Sequence, residues 1–258
     1  MPAGQARNPE AAKLKSYPLF DWLRFVLASL VALGHEGMPA LGPIDANLAV
    51  IVFLALSGWL IGSILLSTES RELPRFFFNR ATRIWTPYIF AVALIYGLAA
   101  LRDGIDVNWW KYLFYDVTFT HITFTEFPRA STELPLGGTG NHFWSISVEE
   151  QFYLVAPLFM IFLPLGKRLA TWILISLLLL WSESVFAAIA LGVLAAIVAR
   201  DFEGWYRGRM GMLVWACVIL ILALCWQYNT PPFRALFAVF LVQGLAFPAE
   251  RIRVGMFF

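Results

Sequence analysis

An all-α, polytopic membrane bundle of about eight transmembrane helices is the fold class that the sequence predicts. Three observations predict it. The 258 residues are 60% hydrophobic and only 14% charged, whereas a soluble domain carries about a quarter charged residues. The mean hydropathy is +0.70, more apolar surface than one aqueous core can bury. The apolar residues also fall in long runs separated by short basic segments, as spans of a bilayer need about 20 apolar residues each. A net charge of only +2 gives nucleic acid no basic face, so the expected partner is the lipid bilayer and no nucleic acid.

The elements follow in order. The polar stretch MPAGQARNPEAAKLKSYP opens the chain. Residues 1–17 read as a cytoplasmic tail, and no cleavage site follows the first apolar run, so no removable signal peptide is expected. Apolar helices are expected over 18–37, 48–67, 84–101, 142–163, 169–183, 185–199, 211–228 and 233–249, making residues 18–250 one membrane domain. Pro87 marks a kink or a helix start in the third, and Asn141 is a candidate cap for the fourth. The fifth and sixth flank Ser182–Ser184 and form either a tight hairpin or a pair with one re-entrant member. Between the third and fourth, Asp106–Ile122 reads as a helix lying at the outer interface, with Trp109, Trp110, Tyr112 and Tyr115 in an aromatic belt. EFPRASTELPLGGTGN then reads as a loop. Lys and Arg collect on one side, at Arg7, Lys13, Lys15, Arg71, Arg75, Arg80, Arg83, Lys167, Arg168, Arg200, Arg207, Arg209, Arg251 and Arg253. The positive-inside rule then puts both termini in the cytoplasm. Cys217 and Cys225 are eight residues apart, ~12 Å along one helix and too far for a disulfide.

Polar groups inside the spans are the functional candidates. Asp21 and Arg24 are three apart and can pair. His35 lies eleven positions after Arg24, which at about 100° each returns both to one face, ~16 Å apart along the axis. The plainer alternative is an arginine snorkelling to headgroups and a wet histidine at the helix end. Ser57, Gly58, Gly62 and Ser63 permit close helix approach. Arg80 and Arg83 suit a bidentate grip on phosphates, or are topogenic charge alone. In FWSISVEEQFYLVAPLF, Glu149 and Glu150 stand in an apolar, aromatic run. Such residues are expensive in a membrane and mark function. Ser145, Glu149 and Tyr153 share one face, Ser147 and Glu150 another. Adjacent residues point about 100° apart, so the two carboxylates cannot serve one partner equally. The structural alternative is a buried carboxylate satisfied by Arg24 or a hydroxyl. His35, His121 and His142 lie in separate segments without ligand spacing, so no metal site is expected.

Four stretches in this order resemble the membrane-bound acyltransferase-3 family, which includes the O-acetyltransferases that decorate bacterial surface polysaccharides. They are Arg24 and His35 with ten residues between, VFLALSGWLI, RATRIWTPY and WSISVEEQFY. The resemblance is strong over residues 18–160. Family members usually continue through further spans to a late Gly-Arg-x-Ser-Tyr-x-x-Tyr-x-x-His segment. This chain stops at RIRVGMFF, so the C-terminal spans of the family are expected to be missing.

The resemblance implies an enzyme of the bacterial inner (plasma) membrane. It would move an acyl group, acetyl in the first instance, from cytoplasmic acyl-CoA to a hydroxyl of a glycan or lipid-linked acceptor. Acyl-CoA, here acetyl-CoA, is then the co-substrate, with no metal. Arg24, Arg80 and Arg83 would hold the donor. His35 would act as general base or transient acyl carrier. Glu149 or Glu150, at a matching depth, would orient His35 or stabilise its cation. Two other classes stay open: a transporter of a sugar or acidic solute, disfavoured by the lack of inverted repeats, and an inactive, truncated family member. Acceptor identity, acyl length and oligomeric state are not written in the sequence.

Overall fold

A computed structural model describes residues 18–37, 39, 41–125, 127–202 and 209–255. The expected tail over residues 1–17, with Arg7, Lys13 and Lys15, lies outside the described residues, as does Arg207. Twelve α-helices follow one another among the described residues: α1 (Pro18–His35), α2 (Ala46–Ser67), α3 (Leu73–Arg102), α4 (Val107–Val117), α5 (His121–Phe124), α6 (Phe127–Glu133), α7 (Pro135–Gly138), α8 (Trp144–Phe162), α9 (Leu169–Trp181), α10 (Phe186–Asp201), α11 (Arg209–Tyr228) and α12 (Pro231–Gly255). The described residues form helices and no strand, as the all-α expectation requires.

Four of these segments are long and apolar enough to cross a membrane: Ala46–Ser67, Ser70–Arg102, Trp144–Phe162 and Met210–Tyr228. Leu169–Trp181 and Pro231–Ala246 are shorter apolar helices. α1 has 18 residues and carries Asp21, Arg24 and His35, and it is not among the four.

α2 and α10 form the centre. An added Cβ at Gly58 would stand 2.0 Å from the Ile189 carbonyl oxygen, and one at Gly192 would stand 2.1 Å from that of Ala55. The small residues of the second span therefore let two backbones touch, which is how helices gain packing where lipid removes the usual hydrophobic drive. α1, α11 and α12 complete the main core around Phe20, Leu27, Leu56, Val218 and Val242.

The bundle has two recognisable ends. At one, Lys167 Nζ donates to the carbonyls of Leu66 and Thr68, at 3.3 and 3.1 Å, and Arg200 donates to the Lys167 carbonyl at 3.1 Å. At the other, Arg234 grips both oxygens of Asp45 at 2.9 and 2.8 Å. Asp45 also caps α2 by accepting from the Leu48 amide at 2.7 Å. α1 runs antiparallel to α2: Gly34 lies against Ala46, and Phe20 packs edge-on to Trp59 with ring centroids 5.2 Å apart.

Several expectations change in detail. The third span begins eleven residues earlier than 84, at Leu73, and passes through Pro87 without a break. Arg80 and Arg83 therefore sit inside a helix rather than at its mouth. The Ser182–Ser184 interruption is a tight hairpin, with Glu183 in the left-handed region at φ 51°. The outer segment is not one interfacial helix. α4 is capped by the Asp106 carboxylate at 2.7 Å from the Trp109 amide, and it ends before Phe119, whose φ is 55°. The stretch read as a loop contains α6. Together α4 to α7 make a cap on the C-terminal half of α3 around Tyr88, Tyr96, Tyr112 and Leu134.

Candidate active site

α8 presents Glu149 and Tyr153 one turn apart on one face, as the i, i+4 spacing requires. Ser57 of α2 donates to Glu149 Oε1 at 2.6 Å. The Tyr153 hydroxyl donates to Oε2 at 3.2 Å. The guanidinium of Arg80 lies over the Tyr153 ring, 4.2 Å from its centroid, and 5.9 Å from that of Phe76. The positive charges of Arg80 and Arg24 both act on the Glu149 carboxylate. Burying a carboxylate is tolerable only with such partners, and here two hydroxyls and two cations supply them. Arg24 also bonds Asp21 at 3.2 Å, the pairing expected from their spacing.

Glu150 points elsewhere. Trp85 of α3 donates its indole N–H to Oε2 at 2.7 Å, while Oε1 is buried without a hydrogen-bond partner. The two adjacent glutamates thus tie α8 to different neighbours, α2 and α3. The guanidinium N–H groups of Arg80 take no acceptor among the described residues, because the side chain is held through its π-face contacts. Arg83 is exposed. The two arginines are held differently and do not form one preassembled grip.

His35 ends α1 and is exposed. Neither glutamate hydrogen-bonds to it. The depth match expected between them is absent, for a reason of register. Gly34 stands beside Ala46, and Ser57 lies eleven residues further along α2, ~16 Å down the axis at about 1.5 Å per residue. The carboxylates are therefore level with Arg24, not with His35. Asn141, expected as a helix cap, turns to His121 instead.

That contact belongs to a buried network that the sequence reading missed. His121 Nδ1 is 2.6 Å from Asp116 Oδ1, and Nε2 is 3.3 Å from Asn141 Oδ1. Tyr96 donates to Asp116 Oδ2 at 2.7 Å and Tyr88 to the Asp116 carbonyl at 2.9 Å. Asp116 and His121 are 0% and 1% exposed, so both ring nitrogens are sealed from substrate. The network meets the site through Phe119, which stacks on Tyr88 and packs against Trp85, centroids 5.0 and 5.6 Å apart. Its carbonyl accepts from Gln151 at 2.8 Å. The signal available in sequence was an Asp and a His inside YDVTFTHI, hidden by reading that run as a helix at the interface.

Outside the spans, Glu133 accepts from Lys111 at 2.5 Å, Arg129 at 2.7 Å and Tyr112 at 3.0 Å. Lys111 foremost, then Arg129 and Tyr112, hold its carboxyl down to about 2. The same bond to Glu133 holds the Lys111 ammonium above its ordinary range.

The sequence model of a family described as "Acyltransferase domain" matches residues 17–249. A protein named "Putative O-acetyltransferase" from Staphylococcus aureus strain COL is 28% identical over 246 residues, covering 86% of this chain and 36% of its own. Another, named "O-acetyltransferase OatA", from Staphylococcus aureus strain NCTC 8325, is 30% identical over 135 residues, covering 45% of this chain and 20% of its own. The chain spans little more than a third of the length of the first of these relatives. No solved structure matches it.

Proposed function

The chain belongs to the acyltransferase-3 family, and on that premise we propose that it is an integral-membrane O-acyltransferase. It moves an acyl group, acetyl by the names of its relatives, from cytoplasmic acyl-CoA to a hydroxyl of a glycan or lipid-linked acceptor. In this reading residues 18–250 form the membrane domain and residues 1–17 a cytoplasmic tail. About eight helices cross the bacterial inner membrane, with both termini in the cytoplasm.

One observation carries the donor assignment: Arg80 is fixed over Tyr153 with its N–H donors unspent. A guanidinium has five such donors in a planar fork suited to phosphate. Phosphates of the donor can take them without breaking any contact that holds the side chain. Arg24 adds positive charge at the same level, and exposed Arg83 lies one turn from Arg80 toward the middle of α3. Glu149 keeps Tyr153, and through it Arg80, in place.

His35 is the base. It takes the proton from the acceptor hydroxyl as that oxygen attacks the thioester carbonyl. The carbon–sulfur bond breaks, the proton passes on to the leaving thiolate, and an O-acyl ester and free CoA thiol result. The ~16 Å between the Arg24 level and His35 is a length the pantetheine arm spans. Service to His35 by Glu149 or Glu150 requires α1 and α8 to shift relative to each other. In the arrangement described, both glutamates hold the donor side.

The test is label transfer in inverted vesicles given radiolabelled acetyl-CoA. Wild type should label a glycan fraction, and His35→Ala should not. Arg80→Ala should raise the KM for acetyl-CoA more than it lowers kcat. Equal labelling by His35→Ala and wild type would sink the assignment of the base.

A further inference from the structure

A cavity of about 330 Å³ opens at the Asp45–Arg234 end of the bundle, away from the carboxylate site, among Asn47, Trp144, Glu183, Ser184, Asn229 and Arg234. Its charge is informative. Arg234 spends three of its five donors: two nitrogens bond Asp45, and Nε donates to Asn229 Oδ1 at 2.8 Å. Glu183 makes no side-chain hydrogen bond or ion pair among the described residues. With Arg234 cancelled by Asp45, the cavity carries the single negative charge of Glu183. It therefore repels phosphates, whether from a nucleotide donor or a lipid headgroup.

The remaining polar groups are neutral, and Asn47 and Asn229, like Glu183, are exposed at the cavity mouth. The Asn47 side chain and the Asn229 amide nitrogen make no hydrogen bond among the described residues. Ser184 Oγ accepts from the Phe186 amide at 3.3 Å, which leaves its O–H free to donate. Trp144, half-buried, gives one aromatic wall. Two loops contribute non-glycine residues in the left-handed region, Glu183 at φ 51° and Asn229 at φ 46°, and both line this one cavity. Such conformations persist where surrounding structure holds them and gather at ligand sites.

We propose that this cavity binds the saccharide of the acceptor, a neutral, hydroxyl-rich ring. The apolar face of the ring lies on the Trp144 indole, and its hydroxyls reach the Glu183 carboxylate and the amides of Asn47 and Asn229. An aromatic wall with a few placed polar groups is how such sites fix orientation. Asn47 also lines a neighbouring cavity of about 300 Å³ with Leu33 and Gly34, next to His35. Asn47 is thus the residue common to the two cavities. The proposal rests on the transferase reading only for the identity of the acceptor, because sugar binding can be measured without transfer.

The test uses the full chain in nanodiscs, titrated with chitotetraose and with maltotetraose and followed by saturation-transfer NMR. At least one should bind wild type. Glu183→Gln and Asn47→Ala should each weaken that binding by about tenfold, the loss of one charged or neutral hydrogen bond. Arg80→Ala should leave it intact, and inorganic phosphate should not compete. Failure of both sugars to bind wild type, or binding within about twofold in both variants, overturns the proposal. Binding that depends on Glu183 without any label transfer from acetyl-CoA upholds the cavity and removes the transferase reading.

Discussion

Replacing Ser57 with alanine removes the shortest hydrogen bond at the candidate site. The bond is 2.6 Å and ends on Glu149 Oε1, and among the described residues the only other hydrogen bond to this carboxylate comes from Tyr153 at 3.2 Å. The substitution therefore deletes the stronger of two donors and leaves one buried oxygen bare. Hydrogen bonds to charged groups are worth ~1.5–3 kcal/mol, and a buried acceptor left unmet costs its desolvation as well. We expect Ser57→Ala to destabilise the bundle by about 2 kcal/mol. Glu149→Gln should cost less, because the amide oxygen still accepts from Ser57 as a neutral bond of ~1 kcal/mol. The two losses share one contact, so Ser57→Ala with Glu149→Gln should cost about 1 kcal/mol less than the sum of the singles. Equilibrium unfolding in mixed micelles of rising dodecyl sulfate fraction, read by tryptophan fluorescence and far-UV circular dichroism, measures all three. Additivity within ~0.3–0.5 kcal/mol would refute the argument that this bond carries the α2–α8 contact.

Other perturbations test neighbouring parts. Gly192→Ala drives a Cβ to 2.1 Å from the Ala55 carbonyl oxygen and forces α2 and α10 apart, a loss of ~1–3 kcal/mol for an overpacked site that the same unfolding assay reads. His121→Ala leaves Asp116 buried with Tyr96 as its remaining side-chain donor and should cost ~3 kcal/mol or more, with hydrogen exchange rising first in the cap. Glu183→Asn relaxes a left-handed glutamate, since asparagine visits that region readily, so thermal stability should hold or rise while oligosaccharide binding falls; a loss of both would mean that Glu183 is structural. Acid should loosen the cap. The Glu133 carboxyl is held down to about 2, below its ordinary value near 4.3. Its contribution is therefore fully present above pH ~4.3 and is lost as pH falls from there toward 2. Limited pepsin cleavage between α4 and α6, normalised at each pH to cleavage of an unfolded control substrate, should rise across that window in wild type and be flat there in Glu133→Gln.

Legibility in the sequence followed the range of the interaction. Periodicity alone put Glu149 beside Tyr153 and Asp21 beside Arg24, and both contacts are made. The glycines of α2 foretold a close helix neighbour, though not that α10 would be it. Features set between helices stayed hidden. Counting from each helix's own end put the glutamates level with His35. The relative stagger of α2 and α8, in which residue 57 of one meets residue 149 of the other, has no local signature. Pro87 pointed to a kink or a helix start; the helix starts at Leu73 and is continuous through Pro87. Asp116 and His121 fell in a run read as a helix at the outer interface, and their burial with Tyr96 and Asn141 is set by contacts between segments.

The adjacency of the two glutamates then has a mechanical reading. Consecutive residues on a helix point about 100° apart, so a Glu-Glu pair cannot give two bonds to one partner. It can give one bond to each of two neighbours at the same depth. Glu149 takes Ser57 of α2 and Glu150 takes Trp85 of α3, fixing three helices at one level. Arg80 joins them there through the Tyr153 ring. A single glutamate with a serine or an aspartate beside it would anchor one neighbour and leave the other free to slide. The orientation of Arg80 depends on both α3 and α8 being held. The cost of placing two carboxylates in an apolar helix thus secures the geometry of a cation whose donors remain unspent, which is the arrangement an anionic co-substrate needs.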